Sequence, residues 1–295
     1  MPKNRKQIIS EIGLLVCGAA WGSGFVVAKE VMETIAPAFL IAVRFIIPAV
    51  LIAPFLIRRF RVAGRRANCT AAVSGLFQFL GLICQMIGLT MTTAGNTAFI
   101  TVFYVMLVPF MMQLYNKTRQ KLAVYFAGVI CLVGVALIVL NADFSVNSGD
   151  LWVLLAAVFF AINIVIVSIS ITGGMDVMAF SCIQFFVTGV LSLAVGLVME
   201  PLPPLSVFLR TEILMGLIYC VAVVTMFAHF VHNVALGYAN PSHASLIMST
   251  EAFFGALFGA IFLFEVITPS FFAGAVLVLV AIVISEMAKK NTKKT

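Results

Sequence analysis

From about residue 9 the chain runs apolar for some twenty positions, breaks at a short polar segment and resumes, ten times over. The runs fall at approximately 9–28, 37–57, 71–90, 97–115, 122–140, 150–169, 177–198, 213–234, 242–264 and 270–287. Each is close to the roughly 20 residues a helix needs to cross the hydrocarbon of a bilayer. The connectors are too short to hold a second, water-soluble domain. The pattern predicts an all-α integral membrane protein of ten transmembrane helices.

Composition agrees. The 295 residues are 63% hydrophobic and 10% charged, with a mean hydropathy of +1.16, whereas a soluble domain carries about 25% charged residues. The formal charge of +7 does not point to nucleic acid. Its basic residues sit in short segments between apolar runs, and no basic stripe is interleaved with stacking aromatics.

Those segments report topology. If the N-terminus is cytoplasmic and sides alternate, 15 of the 18 lysines and arginines fall on the cytoplasmic side. They are Lys3, Arg5 and Lys6, then Arg58, Arg59, Arg61, Arg65 and Arg66, then Lys117, Arg119 and Lys121, and finally Lys289, Lys290, Lys293 and Lys294. Lys29 and Arg210 fall outside, and Arg44 lies within a run. The positive-inside bias predicts a multi-pass protein with both termini cytoplasmic, in a bacterial inner membrane. "MPKNRKQ" ahead of an apolar run and "GAA" has the outline of a signal peptide. The internal repeat argues for a retained first span.

That repeat is weak at each point but ordered. "FLIAVRFIIPAV", ending at residue 50, matches "AFSCIQFFVTGV", ending at 190, and aligns Arg44 with Gln184. "QMIGLTMTTAGNTA" (85–98) lies over "HNVALGYANPSHAS" (232–245), and "YFAGVI" (125–130) over "FFAGAV" (271–276). The division falls into residues 1–145 and 146–295, five spans each. Five is odd, so the second unit enters the membrane inverted. Inverted repeats are the symmetry of alternating-access carriers, with the substrate site at the junction.

Few polar residues interrupt the apolar runs. Arg44 lies about 10 Å into the second span at 1.5 Å per residue. A charge at span centre costs about 2.5–3.5 kcal/mol on insertion scales, so Arg44 must face an interior. It serves as an anion contact for substrate or as a structural hydrogen-bond hub, or it snorkels to the outer surface. Glu251, near the middle of the ninth span, suits proton coupling or a substrate amine. Its bland alternative is a neutral or paired acid, with Arg44 as the partner. Gly255 and Gly259 share its helix face, a small-residue stripe for close helix approach. His229 and His232 form an H-x-x-H pair suited to gating or proton movement, or simply to interfacial packing. A metal site would need a third ligand such as His243, and none is expected. Trp21, Ser23, Gln78, Tyr104, Asn163 and Gln184 are milder candidates for the cavity, with Phe45 and Phe253 as walls. Pro48, Pro54 and Pro109 are expected to kink their helices. The six cysteines are scattered, with no C-x-x-C, and read as apolar packing.

"GAAWGSGFVVAK" (18–29), "RF" (44–45) and "STEAFFGALFGAIFLFE" (249–265) together resemble the drug/metabolite transporter superfamily, EamA type, across nearly the whole chain. Ala252 stands where that family usually has proline. The resemblance implies a ten-helix carrier with a central cavity for small organic solutes.

The leading expectation is a secondary transporter that exports a small amphipathic metabolite, such as an amino acid, with proton coupling. No G-x-x-x-x-G-K-[ST] loop offers ATP binding, and a phosphorylated substrate would want more basic side chains than Arg44 alone. An intramembrane enzyme and a channel or sensor are the alternatives. H-E-x-x-H is absent, and no catalytic residue or cofactor is predicted. The expected partners are a small-molecule substrate and the lipid bilayer, with the chain a monomer or weak homodimer.

Overall fold

The computed structural model describes residues 5–117, 121–139, 146–236 and 247–290, and the regular elements among them are helices. They are α1 (Arg5–Met32), α2 (Pro37–Met91), α3 (Ala94–Thr101), α4 (Tyr104–Asn116), α5 (Leu122–Val139), α6 (Ser148–Thr172) and α7 (Val177–Met199). A short 3₁₀ turn, Leu205–Leu209, leads to α8 (Thr211–Tyr219). A π-helical stretch, Cys220–Phe227, joins α8 to α9 (Ala228–Leu236) without interruption. The last two are α10 (Thr250–Phe262) and α11 (Pro269–Lys290).

Among the described residues seven stretches are long and apolar enough to cross a membrane: Ile8–Met32, Pro37–Leu56, Gly64–Met91, Ala94–Asn116, Ser148–Thr172, Val177–Met199 and Thr211–Ala235. Three shorter apolar helices, Leu122–Ile138, Thr250–Phe262 and Pro269–Ser285, fall where the other runs were expected. The start of the 242–264 run lies outside the described residues. Large apolar side chains cover the outside: Phe55 is 83% exposed and Val198 85%. Such a surface belongs against lipid.

The 55-residue α2 holds two spans across the arginine-rich segment. Its backbone leaves the helical range at Gly64 (φ 79°, ψ 168°), an angle glycine adopts without steric cost. Pro48 and Pro54 lie inside the helix at helical angles, and Gly64 is where α2 departs from them. The run at 97–115 is also divided, by a turn at Val102–Phe103.

Small residues set how closely the helices approach. A Cβ on Gly134 would lie 2.8 Å from the Gly274 carbonyl oxygen, and one on Gly274 would lie 2.6 Å from that of Gly134. Gly134 also meets Val278, and Gly274 meets Ile138, so α5 and α11 run antiparallel. In the same sense Gly189 of α7 packs on Ile46 and Gly196 on Phe39. Gly255 and Gly259 of α10 pack on Ala98 and Ala94 of α3, so the stripe beside Glu251 does lie in a helix interface.

At the end of the bundle where α1 finishes, acidic side chains cap helix N-termini, whose amides lack helical partners. Glu200 accepts hydrogen bonds from Ala38 N (2.9 Å) and Phe39 N (3.2 Å) at the start of α2. Glu265 accepts from Ala94 N (2.7 Å) and Gly95 N (3.1 Å) at the start of α3. Lys29 Nζ donates to Glu265 (3.2 Å) and to the Thr92 carbonyl (2.8 Å). Thr92 Oγ1 in turn donates to Asp150 (2.6 Å). These contacts tie α1, α3, α6 and the α10–α11 connection together.

Candidate functional site

Between the helices lies a cavity with about 100 Å³ open to the centre of a water molecule. A buried water needs roughly 10–15 Å³ on this measure, so there is room for several waters or a small solute. Its apolar walls include Phe25, Leu82, Met86, Phe160, Ile164 and Met248. Its polar groups come from eight elements, α1, α2, α3, α4, α6, α7, α9 and α10.

One cluster surrounds the π-helical stretch. A π turn shifts the backbone bonding by one residue and is often found at functional sites. Here the Val224 carbonyl accepts from Trp21 Nε1 at 3.1 Å and from His229 Nδ1 at 3.2 Å. The carbonyl can only accept, so His229 carries its proton on Nδ1. Its Nε2 is then the acceptor for Gln78 Nε2 at 3.4 Å. Gln78 Oε1 accepts from Asn163 Nδ2 (2.6 Å), and Asn163 Oδ1 accepts from Ser74 Oγ (2.6 Å) and Gln184 Nε2 (3.0 Å). The imidazole is also packed edge-on against Trp21, Phe45 and Phe185. His229 is thus locked in place as a neutral link.

The charged groups are treated differently. Arg44 is 4% exposed. Its Nε donates to Thr225 Oγ1 at 3.3 Å, and its Cζ lies 5.8 Å from the Phe45 ring centroid. Among the described residues no carboxylate lies within ion-pair distance of the guanidinium. Glu251 is 5% exposed, lines the same cavity and has no hydrogen-bond partner among the described residues. The pairing of Glu251 with Arg44 that the sequence left open is therefore not made. Among the described residues Tyr104 Oη and His232 Nε2 are also buried without a partner, and both residues line the cavity.

The structure brings together most of the residues picked out by sequence. Trp21, Arg44, Gln78, Tyr104, Asn163, Gln184, His229, His232 and Glu251 all line the cavity. Three do not. Ser23 turns away to bond the Tyr219 hydroxyl (2.6 Å). Phe45 is fully buried one layer behind, edge-on to Phe185 with centroids 5.5 Å apart. Phe253 is 53% exposed on the outside of α10. His243 lies outside the described residues, and among the described residues no three His, Cys, Asp or Glu side chains gather as a metal site.

Sequence reasoning passed over Gln85, Thr101, Asn233 and Thr225. Gln85 Nε2 donates to Thr101 Oγ1 (2.9 Å), and both line the cavity. A signal for Gln85 was present, since the repeat alignment of 85–98 with 232–245 sets it opposite His232. The same offset of 147 sets Tyr104 opposite Glu251.

Apolar helices around a cavity with a few buried polar and charged groups define an integral membrane protein, and comparison with known proteins narrows the class. The chain belongs to the EamA-like transporter family, whose model matches it twice, at residues 8–140 and 147–287. It is 32% identical over 287 residues to an uncharacterized transporter of Archaeoglobus fulgidus, covering 95% of this chain and 86% of that protein. A protein of known crystal structure superposes with a TM-score of 0.68 over 96% of this chain and 99% of its own, at 13% identity. At that identity the likeness is one of fold. The protein is thus a transporter.

Proposed function

We propose that this transporter is a secondary carrier that exports a small amphipathic organic solute, an amino acid or a related compound, by alternating access with proton coupling. The observation that carries the reading is a pair of opposite charges, Arg44 and Glu251, that line one cavity and have no ion-pair partner among the described residues. Leaving both charges without a partner is costly in a low-dielectric interior. A solute that brings its own carboxylate to Arg44 restores the balance. Glu251, for its part, can take or release a proton. The largely apolar walls suit an aliphatic or aromatic side chain.

In this reading the chain crosses the membrane ten times, with both termini cytoplasmic, and residues 1–145 and 146–295 form two inverted five-helix units. Two features support it. The family model matches twice, in the two halves. Proposed repeat mates, such as α5 with α11 and α2 with α7, lie antiparallel where they touch. The Lys29–Glu265–Thr92 cluster would then close the outer end, leaving the cavity to open inward.

The test is transport in proteoliposomes under an imposed pH gradient. Glu251→Gln should abolish gradient-driven movement of the solute while leaving the protein folded. Unchanged proton dependence in that variant would remove Glu251 from the coupling role.

A further inference from the structure

We propose that Glu251, His232 Nε2 and Tyr104 Oη together form an ammonium-binding subsite within the cavity, and that a proton and a substrate amine compete for it. The proposal rests on the carrier reading above and specifies how one end of the solute is held.

The argument starts from groups that the folded protein leaves unfinished. Buried polar atoms are almost always hydrogen-bonded, and exceptions call for an explanation. Among the described residues three buried side-chain polar atoms have no partner: Tyr104 Oη, His232 Nε2 and Ser285 Oγ. The first two belong to residues more than nine-tenths buried that line the central cavity. The Glu251 carboxylate joins them there, also without a partner. These three groups come from α4, α9 and α10, so they reach the one cavity from three different helices.

All three can act as acceptors. His232 Nδ1 lies 3.2 Å from Asn233 Oδ1, an oxygen that only accepts, so Nδ1 carries the proton. Asn233 is itself anchored, donating to Ser181 Oγ at 2.8 Å. The neutral ring therefore presents a bare lone pair at Nε2. Tyr104 offers its phenol oxygen, and Glu251 offers a charge. A primary ammonium has three N–H donors and one positive charge, and it would satisfy a carboxylate, an imidazole nitrogen and a phenol oxygen at once. A carboxylate ligand would find no such welcome here, and Arg44 stands elsewhere on the same cavity to receive one. His229 contrasts with its neighbour, because both of its ring nitrogens are already used within the protein.

Competition follows from the chemistry of Glu251. Its carboxylate can hold a proton or an ammonium, but the protonated acid has lost the charge that holds the amine. Arrival of one therefore favours departure of the other, the relation a proton-exchanging exporter requires.

Three probes sharing one side chain test the subsite on the purified full-length protein: leucine, isoamylamine and 4-methylpentanoate. Thermal unfolding and calorimetric titration read their binding. Leucine and isoamylamine should both stabilise the wild type. Tyr104→Phe should weaken isoamylamine about tenfold, the loss of one hydrogen bond to a charged group, and leave 4-methylpentanoate unaffected. Without ligand it should melt at or above the wild-type temperature, because the deleted hydroxyl has no partner to lose. Glu251→Gln should reduce isoamylamine binding further. If isoamylamine binds Tyr104→Phe and Glu251→Gln as it binds the wild type, the subsite is overturned. Stabilisation by 4-methylpentanoate alone also overturns it and leaves the carrier reading standing. Stabilisation by none of the three overturns both the subsite and the choice of an amino acid as solute.

Discussion

Arg44 and His229 sit on one cavity, yet the fold treats them in opposite ways. His229 gives both ring nitrogens to neighbours and is boxed by Trp21, Phe45 and Phe185. Arg44 has five N–H donors, and its one hydrogen bond among the described residues, from Nε to Thr225, is long at 3.3 Å. A residue that held the helices together would be bonded like His229. We therefore expect Arg44→Gln to melt at the wild-type temperature or above, since the charge costs about 2.5–3.5 kcal/mol where it stands. The same variant should lose transport. Thermal unfolding in detergent checks the first expectation. A melting temperature many degrees lower would make Arg44 a structural hub.

Much at this scale was legible in the sequence. An arginine or glutamate within an apolar run has to face an interior, and Arg44 and Glu251 both do. The repeat alignment brought in Gln184 opposite Arg44. What stayed hidden follows from lipid being as apolar as a protein core. A helix that is apolar all round shows no stripe to say which face turns inward. Phe253 and Phe45 neighbour charged residues in sequence, yet one points out of the bundle and the other packs behind the cavity. Ser23 could not be placed either, because its partner Tyr219 lies 196 residues away.

Among the elements, the π-helical stretch Cys220–Phe227 does most to shape the site. It aims the Val224 carbonyl at Trp21 and His229, and it sets Thr225 under Arg44. Nothing in "CVAVVTMF" announces a π turn, since its apolar residues suit an ordinary helix equally well. Glycine contacts were easier to anticipate as a type of feature than to assign to partners. Gly274 shows what such a contact is worth. A side chain there would collide with the Gly134 carbonyl and with Ile138. Gly274→Leu should destabilise the protein by about 1–3 kcal/mol, the usual cost of overpacking, read as a lowered melting temperature. Gly64→Ala acts on a different term, since open space surrounds Gly64 and only its φ of +79° resists a side chain.

At the scale of the whole molecule, the outer apolar surface, the paired family matches and the buried charges all bear on one claim: a single cavity reached in turn from each side of the membrane. The mixed polar lining suits such a device. At the sequence offset of 147, Tyr104 aligns with Glu251 and Gln85 with His232, so aligned positions of the two halves carry different chemistry. Symmetry of this kind would preserve the motion while letting the site recognise an asymmetric solute. The most direct measurement places one cysteine at the cavity wall, Ile164→Cys, in a variant with the six native cysteines replaced. Membrane-impermeant thiol reagents are then applied separately to right-side-out and inside-out vesicles. The account predicts labelling from both faces, with a binding solute slowing it from each. Labelling from one face alone, whatever solute is present, would contradict it.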